Sequence, residues 1–285
     1  MLVFPGCKIN LGLHILNKRE DGFHNLTTVF YPLPLTDALE IILNNDQDDK
    51  ETVRLSLTGN AVDGNAADNL CVKAYQLLKK GFPELPNVRM HLHKAIPMGA
   101  GLGGGSADAS FALRLLNDKF QLNLSNTQLI NYALQLGSDC PFFILNKPCL
   151  ASGRGEILEP VNLSLSGYQL LLIYPGIHVS TGWAFSQLNS SSSVVICQSA
   201  KEQRNLKDII SQNPETWRNE LTNDFEKPVF FNYPELREIK EELYRLGAIY
   251  AAMSGSGSSL FGLFKKSNTP VLSFPNQFYS KLLQL

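Results

Sequence analysis

The sequence predicts an α+β protein, and two kinds of pattern carry this prediction. Apolar residues alternate at Ile9, Leu11, Leu13 and Ile15, which is typical of a half-buried strand. The stretch "PELREIKEELYRLG", residues 234–247, has helical spacing between a starting proline and a terminating glycine. Strands and helices are mixed without a strict βαβ rhythm, which favours α+β over a doubly wound parallel sheet.

The first half of the chain adds further elements of both kinds. Strand-like patterns occur at residues 26–33, 37–44, 52–59 and 87–97. Helical spacing predicts helices over residues 68–81, 106–120 and 125–137. Asp68 or Asn69 suits the start of the first of these helices and Gly81 its end, while Ser125 suits the N-cap of the third.

A second region is expected to begin near residue 155. Residues 167–176, "GYQLLLIYPG", have the composition of a buried strand. Another strand is predicted at residues 248–253, followed by a loop of small residues, "SGSGSS", at 254–259. This loop is interpreted either as a hairpin turn or as a segment that closes on a ligand.

Composition excludes several classes of function. The formal net charge is −1, without the clustered basic residues that nucleic-acid binding needs. No apolar run reaches the ~18 residues of a membrane helix, and the first residues do not resemble a signal peptide. The five cysteines form no CxxC pair, which predicts reduced thiols in a cytoplasmic protein and neither a zinc site nor a disulfide framework.

The segment "PMGAGLGGGSADAS", residues 97–110, is the strongest functional signal. It holds five glycines in seven positions, between a predicted strand and a predicted helix. Free N–H groups and the helix dipole make a helix N-terminus attract anions, and glycines allow phosphate oxygens to approach the backbone. The segment therefore predicts a cradle for nucleotide phosphates.

Two familiar phosphate motifs fit this segment less well. Gly99, Gly101 and Gly104 satisfy G-x-G-x-x-G, but no strand ending in an acidic residue follows about 20 residues later, as a dinucleotide-binding fold requires. A P-loop is excluded, because G-x-x-x-x-G-K-[ST] does not occur. A dinucleotide-dependent oxidoreductase remains an alternative with this single match in its support.

The glycine-rich segment resembles the central motif of the GHMP kinases. Other segments are similar to those of one family within them, the 4-diphosphocytidyl-2-C-methyl-D-erythritol kinases. They are "KINLGLHILNKREDGFHNLTTVF" at 8–30, "GSDCPFF" at 137–143, "NDFE" at 223–226 and "MSGSGSSLFGLF" at 253–264. Because the segments keep the same order along most of the chain, the resemblance is more specific than any single motif.

The resemblance implies a fold of two α+β domains with an active-site cleft between them. Residues 1–155 would form the N-terminal, ATP-binding domain and residues 156–285 the C-terminal domain. The implied reaction transfers the γ-phosphate of ATP, with Mg²⁺, to the 2-hydroxyl of 4-diphosphocytidyl-2-C-methyl-D-erythritol. This reaction belongs to the non-mevalonate (MEP) route to isoprenoid and terpenoid precursors.

The resemblance also assigns the catalytic residues. Asp139 would orient or deprotonate the accepting hydroxyl, a task that a kinase gives to a carboxylate. Its alternative role is to cap the following helix. Lys8 would stabilise negative charge in the reaction and hold Asp139 as its anion. Asn10 shares a strand face with Lys8 and would bind substrate.

Nucleotide and substrate contacts follow in the same way. The residues expected to bind the nucleotide are Asn69, Lys94, Pro97, Gly99, Gly101, Gly103, Gly104, Gly105 and Ser106. The cytosine ring would lie between Phe23 and Phe185, with His24 at the edge of the base. The family commonly has Tyr where this chain has Phe23, so a contact through a phenol hydroxyl is lost. No metal-binding residue is assigned, and Ser106, Asp108 and the nucleotide itself stay open as ligands of Mg²⁺.

Two further alternatives belong to the same superfamily. The chain could phosphorylate another small alcohol, or it could bind ligands without catalysis, although it keeps both Lys8 and Asp139. The expected partner is a small molecule, not a nucleic acid or a membrane. A monomer and a homodimer are equally compatible with the sequence, which also gives no role to the last 20 or so residues.

Overall fold

The structure is a computed structural model that describes residues 1–46, 51–61, 64–190, 205–271 and 274–285. Helices and strands are mixed along the chain, which confirms the α+β prediction. The strands are β1 Leu2–Val3, β2 Gly6–Lys18, β3 His24–Thr36, β4 Ala38–Leu43, β5 Val53–Gly59, β6 Val88–Lys94, β7 Cys149–Ser152, β8 Ile157–Pro160, β9 Tyr168–Tyr174, β10 Tyr250–Met253, β11 Leu260–Lys265 and β12 Tyr279–Gln284.

The helices are α1 Leu70–Gly81, α2 Gly104–Lys119, α3 Asn126–Leu134, α4 Cys140–Leu145, α5 Thr181–Ser190, α6 Leu206–Ile210, α7 Glu226–Asn232 and α8 Pro234–Arg245. Four of the helices, α1, α2, α3 and α8, lie where the sequence patterns predict them, with ends that differ by up to three residues, and α4 to α7 were not predicted. The side chain of Asn69 caps α1 by accepting a hydrogen bond from the amide of Cys71. Ser125 and Gln128 form a capping box at the start of α3.

The chain forms two compact units, each assembled from separate segments. Unit 1 consists of Met1–Cys7, Leu35–Met98 and Gly103–Lys147. Unit 2 consists of Lys8–Pro34, Gly99–Leu102 and Pro148–Leu285. The sequence predicts a single division at residue 155, whereas the chain passes between the two units several times before that point. The reason is that most of β2 and β3 and residues 99–102 of the glycine-rich segment belong to unit 2.

Unit 1 is a sheet covered by helices. The strand order is β1-β4-β6-β5, in which β5 runs parallel to β6 and α1 connects the two. Leu39 and Ile41 of β4 lie opposite Leu92 and Met90 of β6. These four side chains are buried in one core together with residues of α1, α2, α3 and α4. Period-two alternation in the strands and helical spacing in the helices therefore point to the same core.

Unit 2 contains two antiparallel sheets. One has the strand order β2-β3-β7-β8 and the other β10-β11-β9-β12. In the second sheet, Leu171 and Ile173 of β9 pack with Leu236 and Leu243 of α8 in a buried core. The C-terminal residues, to which the sequence assigns no role, supply β12, which pairs with β9 along its whole length.

Within the described ranges, no helix is long and apolar enough to cross a membrane.

Candidate active site

The first turn of α2 presents backbone amides without side-chain caps. Gly103 is the N-cap residue, in the left-handed conformation with φ of 71°, and it makes no side-chain capping bond. Gly104, Gly105 and Ser106 follow as the first helical residues, whose amides have no acceptor within a helix. A Cβ added to Gly105 would meet only Leu70 Cδ1, at 4.0 Å. This turn therefore has the geometry and the partial positive charge of an anion site.

The earlier glycines have a different physical reason. Gly101 has φ of 77°, and a Cβ there would lie 2.2 Å from the carbonyl oxygen of Ser254. Gly99 has φ of 63°, and its Cβ would come within 3.0 Å of His178 Nδ1. The sequence predicts that these glycines allow phosphate to approach the backbone. At Gly101, the group that approaches the backbone closely is instead the carbonyl of Ser254 in the same protein.

The small-residue loop 254–259 joins β10 to β11, as the hairpin interpretation predicts. It also contacts the glycine-rich segment directly, within unit 2. Ser254 Oγ donates to the carbonyl of Gly101 at 2.9 Å, and the amide of Ser259 donates to the carbonyl of Ala100 at 3.2 Å. The loop therefore fixes the conformation of residues 99–102.

The "NDFE" segment holds this loop in turn. Asn223 is buried, and its Nδ2 donates to the carbonyls of Met253 and Gly255, both at 2.8 Å. Glu226 accepts a hydrogen bond from the amide of Met253 at 2.9 Å. The spacing of this segment in the sequence does not reveal that it braces a distant loop.

A cavity of about 250 Å³ opens beside the same loop. It is lined by Gly99, Gly101, His178, Val179, Ser180, Thr181, Ser256 and Gly257. Thr181 lies at the start of α5, and its hydroxyl is 2.9 Å from that of Ser256. Small and hydroxylated residues from two elements thus border one polar cavity of unit 2.

Asp139 lies at the N-terminus of α4, in unit 1. It occupies the N-cap position in α-helical conformation, and its side chain makes no capping hydrogen bond. The residue is half-buried. Capping of α4 by the Asp139 carboxylate, which is the alternative interpretation of this aspartate, is therefore not what the structure has.

Hydrogen bonds join residues 137–143, here called the Asp139 segment, to α2. Ser110 Oγ lies 2.8 Å from the carbonyl oxygens of both Ser106 and Cys140, and its single proton is shared between these two acceptors. The position of a Cβ on Gly137 lies 4.0 Å from Ser106 Oγ. Burial raises the pKa of the Cys140 thiol to about 11, so this thiol is neutral at physiological pH. Unit 1 thus brings the glycine-rich turn and the Asp139 segment together.

Lys8 and Asn10 form a buried polar chain in unit 2. Lys8 Nζ donates to Asn10 Oδ1 at 2.7 Å, and Asn10 Nδ2 donates to Thr28 Oγ1 at 3.0 Å. The ammonium also lies 4.8 Å from the centre of the Phe30 ring. The amide of Lys8 donates to the carbonyl of Leu102 at 2.9 Å, which connects β2 to the glycine-rich segment. The predicted shared face of Lys8 and Asn10 is therefore observed as a direct contact.

The aromatic residues are arranged in two pairs. The ring of His24 stacks on that of Phe185, with centroids 4.8 Å apart, and its buried Nε2 has no hydrogen-bond partner among the described residues. Phe23 is about half exposed, and the guanidinium of Arg154 lies 4.8 Å from its ring centre. Phe225, of the "NDFE" segment, contacts the Phe185 ring edge-on. One face of Phe185 is thus covered by His24, and one face of Phe23 by Arg154.

A cavity of about 190 Å³ in unit 1 brings together the residues expected at the adenosine end. Its lining includes Asn69, Lys94 and Gly105, as well as Asn65, Leu70 and Asp108. Asn69 Oδ1 is engaged in capping α1. Lys94 is buried and its ammonium is bound to two carboxylates, so it does not extend into solvent.

Those carboxylates are Asp37 and Asp108. Lys94 Nζ contacts Asp37 Oδ2 and lies 2.6 Å from Asp108 Oδ2. The two anions hold the pKa of Lys94 above its usual value against the effect of burial. Burial raises the pKa of Asp108 to about 7, and within the part of the chain that the structure describes its Oδ1 has no hydrogen-bond partner. Nothing in the local sequence pattern around Asp37 indicates that this residue lies beneath the glycine-rich turn.

No group of three or more His, Cys, Asp and Glu side chains suited to hold a metal ion occurs among the described residues. His91 and His93, whose shared strand face is visible in the sequence, instead contact the hydroxyl of Thr58 on β5 at 3.0 Å.

Comparisons with known proteins agree with this architecture. Residues 69–147 match the family described as "GHMP kinases N terminal domain", and residues 204–273 match "GHMP kinases C terminal". The chain is 55% identical over 264 residues to 4-diphosphocytidyl-2-C-methyl-D-erythritol kinase of Bacteroides fragilis strain YCH46, covering 93% of this chain and 92% of the relative.

Solved structures are similar over the whole chain. A crystal structure of 4-(cytidine 5'-diphospho)-2C-methyl-D-erythritol kinase superposes with a TM-score of 0.74 at 27% identity, covering 100% of this chain and 99% of its own. The mevalonate kinase of Methanococcus jannaschii superposes with a TM-score of 0.69 at 12% identity, covering 100% and 98%. The second likeness concerns the fold alone.

Proposed function

This chain belongs to the 4-diphosphocytidyl-2-C-methyl-D-erythritol kinase family of the GHMP kinases, and from that premise we propose the reaction and its residues. The substrates are ATP, accompanied by Mg²⁺, and 4-diphosphocytidyl-2-C-methyl-D-erythritol. The oxygen of the 2-hydroxyl attacks the γ-phosphorus, the bond to the bridging oxygen of ADP breaks, and the hydroxyl proton leaves for a carboxylate. The observation that carries the proposal is the uncapped first turn of α2.

The triphosphate binds at this turn. The amides of Gly104, Gly105 and Ser106 donate to phosphate oxygens, and the helix dipole stabilises their charge. The open space at Gly105 supports this role, because a side chain there would stand where the phosphate lies. Gly99, Gly101 and Gly103 act indirectly, by allowing the backbone conformation that leads into the turn.

The adenosine end lies in the cavity of unit 1 that Asn69 and Lys94 line. Pro97 is buried where the chain enters the glycine-rich segment. The apolar part of this cavity, at Leu57, Leu70 and Met98, suits the faces of a purine ring. Because the ammonium of Lys94 is engaged by carboxylates, its stem rather than its charge would meet the nucleotide.

Asp139 accepts the proton of the 2-hydroxyl. Its position on the segment that Ser110 ties to α2 supports this role, since the base and the phosphate turn then share one rigid support. Lys8 supplies positive charge for the transferring phosphoryl group and for the hydroxyl oxygen, and Asn10 fixes the ammonium of Lys8. Pairing between Lys8 and Asp139 is part of the proposal.

The cytosine binds at the aromatic residues of unit 2. The unpartnered Nε2 of His24 is suited to a hydrogen bond with the edge of the base. Phe185 and Phe23 offer ring faces, of which one on each is already covered. We further propose a cytoplasmic location and no nucleic-acid partner; a monomer and a homodimer remain alternatives.

ADP release measures the reaction. The protein is given MgATP and, separately, 4-diphosphocytidyl-2-C-methyl-D-erythritol, mevalonate, homoserine or galactose. Turnover of the cytidylated alcohol alone is expected. Asp139→Asn should lose about 10²–10⁴-fold of it, and Asp118→Asn, an exposed aspartate on α2, should lose none. Turnover of another alcohol would refute the acceptor, and full activity of Asp139→Asn would refute the base.

A further inference from the structure

Three buried charges lie beneath the glycine-rich turn of unit 1. Asp37, Lys94 and Asp108, here called the charge triad, are 1%, 1% and 3% exposed. Asp37 lies between β3 and β4, Lys94 ends β6, and Asp108 lies in the second turn of α2. Three separate parts of the chain therefore meet through ionic contacts. In the sequence, the glycine-rich segment separates the end of β6 from the start of α2.

Asp37 holds the chain just before that segment. Its Oδ1 accepts hydrogen bonds from the amides of Ala95 at 2.6 Å and Ile96 at 2.9 Å. Its Oδ2 contacts the ammonium of Lys94. Its own amide donates to the carbonyl of Pro5 at 2.9 Å, which fixes Asp37 to the N-terminal segment. Both oxygens of this carboxylate are thus used to position the end of β6.

Lys94 continues the connection to α2. A Cβ on Gly104 would lie 3.4 Å from Lys94 Nζ and 3.0 Å from Ile96 Cγ2. The ammonium therefore lies directly under the first residue of α2, and it is bound one turn later by Asp108 Oδ2 at 2.6 Å. The triad fixes the chain on both sides of residues 97–103.

Stability is a poor explanation for such a group. Burial of ions costs free energy that their attraction only partly offsets, and apolar residues of the same volume often stabilise a protein as well or better. When all three groups are ionised, two negative carboxylates face one positive ammonium, so the triad carries a net negative charge. The triad fixes the geometry of the adjacent turn, and apolar side chains in its place would not do so.

We propose that Asp37 is a positioning residue of the nucleotide site. It fixes the start of the glycine-rich segment through the amides of residues 95 and 96, and through Lys94 it fixes the first turn of α2. The amides of Gly104, Gly105 and Ser106 are then held in the orientation that phosphate requires. This inference rests on the proposed binding of the nucleotide at that turn, but not on the identity of the accepting alcohol.

The test compares Asp37→Asn and Asp37→Ala with the wild type. The amide of Asp37→Asn keeps an acceptor for the backbone but loses the charge that orders Lys94, and Asp37→Ala loses both. The dissociation constant for MgADP, measured by calorimetry, should rise about tenfold in Asp37→Asn and about a hundredfold in Asp37→Ala. The KM of the acceptor should stay within about twofold. Asp46→Asn, at an exposed ion pair with Arg89 in the same unit, is the matched control.

A second measurement covers the case in which Asp37→Ala does not fold. Amide hydrogen exchange of residues 95–106 should be faster in unliganded Asp37→Asn than in the wild type and unchanged in Asp46→Asn. A lower melting temperature with unchanged MgADP affinity and unchanged exchange would show a merely stabilising role and overturn the inference. If the wild type binds MgADP but phosphorylates none of the offered alcohols, only the proposed acceptor fails, and this comparison still decides on Asp37.

Discussion

The imidazole of His24 lies flat on the ring of Phe185, with centroids 4.8 Å apart and planes inclined by 15°. The two residues come from the start of β3 and from α5, 161 positions apart by their numbers, both within unit 2. Because His24 Nε2 is buried and no residue in the described part of the chain bonds to it, this pair presents a polar atom beside an aromatic face.

His24→Ala should therefore weaken binding of the cytidylated substrate. It removes both the stacking partner and the polar atom, and a loss of about 10–100-fold in kcat/KM for the acceptor is expected from one base-edge bond and one stacking contact. The KM of ATP should not change. The steady-state kinetics of His24→Ala and of His178→Ala, a histidine that lines the cavity beside loop 254–259, check this specificity. If His24→Ala impaired the kinetics for ATP as much as for the cytidylated acceptor, the assignment of His24 to the cytosine site would be contradicted.

Gly101 and Gly105 should respond differently to the same substitution. At Gly101 a methyl group would collide with the Ser254 carbonyl at a positive φ, so Gly101→Ala should lower the free energy of unfolding by at least about 1 kcal/mol. At Gly105 the space is open and the backbone is helical, so Gly105→Ala should be neutral or slightly stabilising.

The affinity for nucleotide should respond differently from stability, so that Gly105→Ala, which is harmless to folding, is the harmful substitution for binding. If phosphate contacts the bare backbone there, Gly105→Ala weakens MgADP binding while the protein remains fully folded. Chemical denaturation and calorimetry on the same two variants measure both quantities. A Gly105→Ala variant with wild-type affinity would place the phosphate elsewhere.

Asp108 should make stability depend on pH. Its folded-state pKa of about 7 lies above the ordinary value of 3.8, mainly because of burial, so the folded protein binds this proton more tightly than the unfolded chain. The contribution of this carboxyl to stability therefore falls as pH rises between about 4 and 7, and the loss is complete above the folded-state pKa.

Asp108→Asn removes this titration while keeping an oxygen for Lys94. The melting temperature of the variant minus that of the wild type should increase from pH 5 to pH 8 and then level off. Asp46→Asn, an exposed aspartate, should give no such increase. A difference that is constant with pH would mean that Asp108 titrates in its ordinary range.

Asn223 should matter more than an ordinary helix-capping amide. Its Nδ2 donates to the carbonyls of Met253, which is buried, and of Gly255, which is half-buried, and Asn223→Ala removes both bonds. A loss of about 2–4 kcal/mol is expected. Asn232→Ala, which removes a single bond to the carbonyl of Pro228 in α7, should lose about 1 kcal/mol. Urea denaturation compares them, and similar losses would contradict a bracing role.

The sequence by itself determined many of the helices and strands, and it indicated an anion site at the start of α2. Helix α1 begins after Asn69 and α3 after Ser125 because capping is a local interaction, and the strands of unit 1 follow from alternation. The glycines before α2 indicate an anion site because a helix N-terminus needs no distant partner to attract one. The resemblance to a family, carried by several motifs in a fixed order, predicts which residues take part in the reaction, and that assignment stays a prediction.

Only the tertiary structure decided which groups meet. Gly101 is a glycine because Ser254, 153 positions later, approaches its backbone. Lys94, expected to point at a ligand, is instead enclosed by Asp37 and Asp108. The family resemblance predicts that His24 lies at the edge of a cytosine ring held between Phe23 and Phe185. In the structure, the His24 ring lies on the face of Phe185. Local patterns specify backbone conformation, whereas such contacts depend on long-range packing, which no short stretch of sequence encodes.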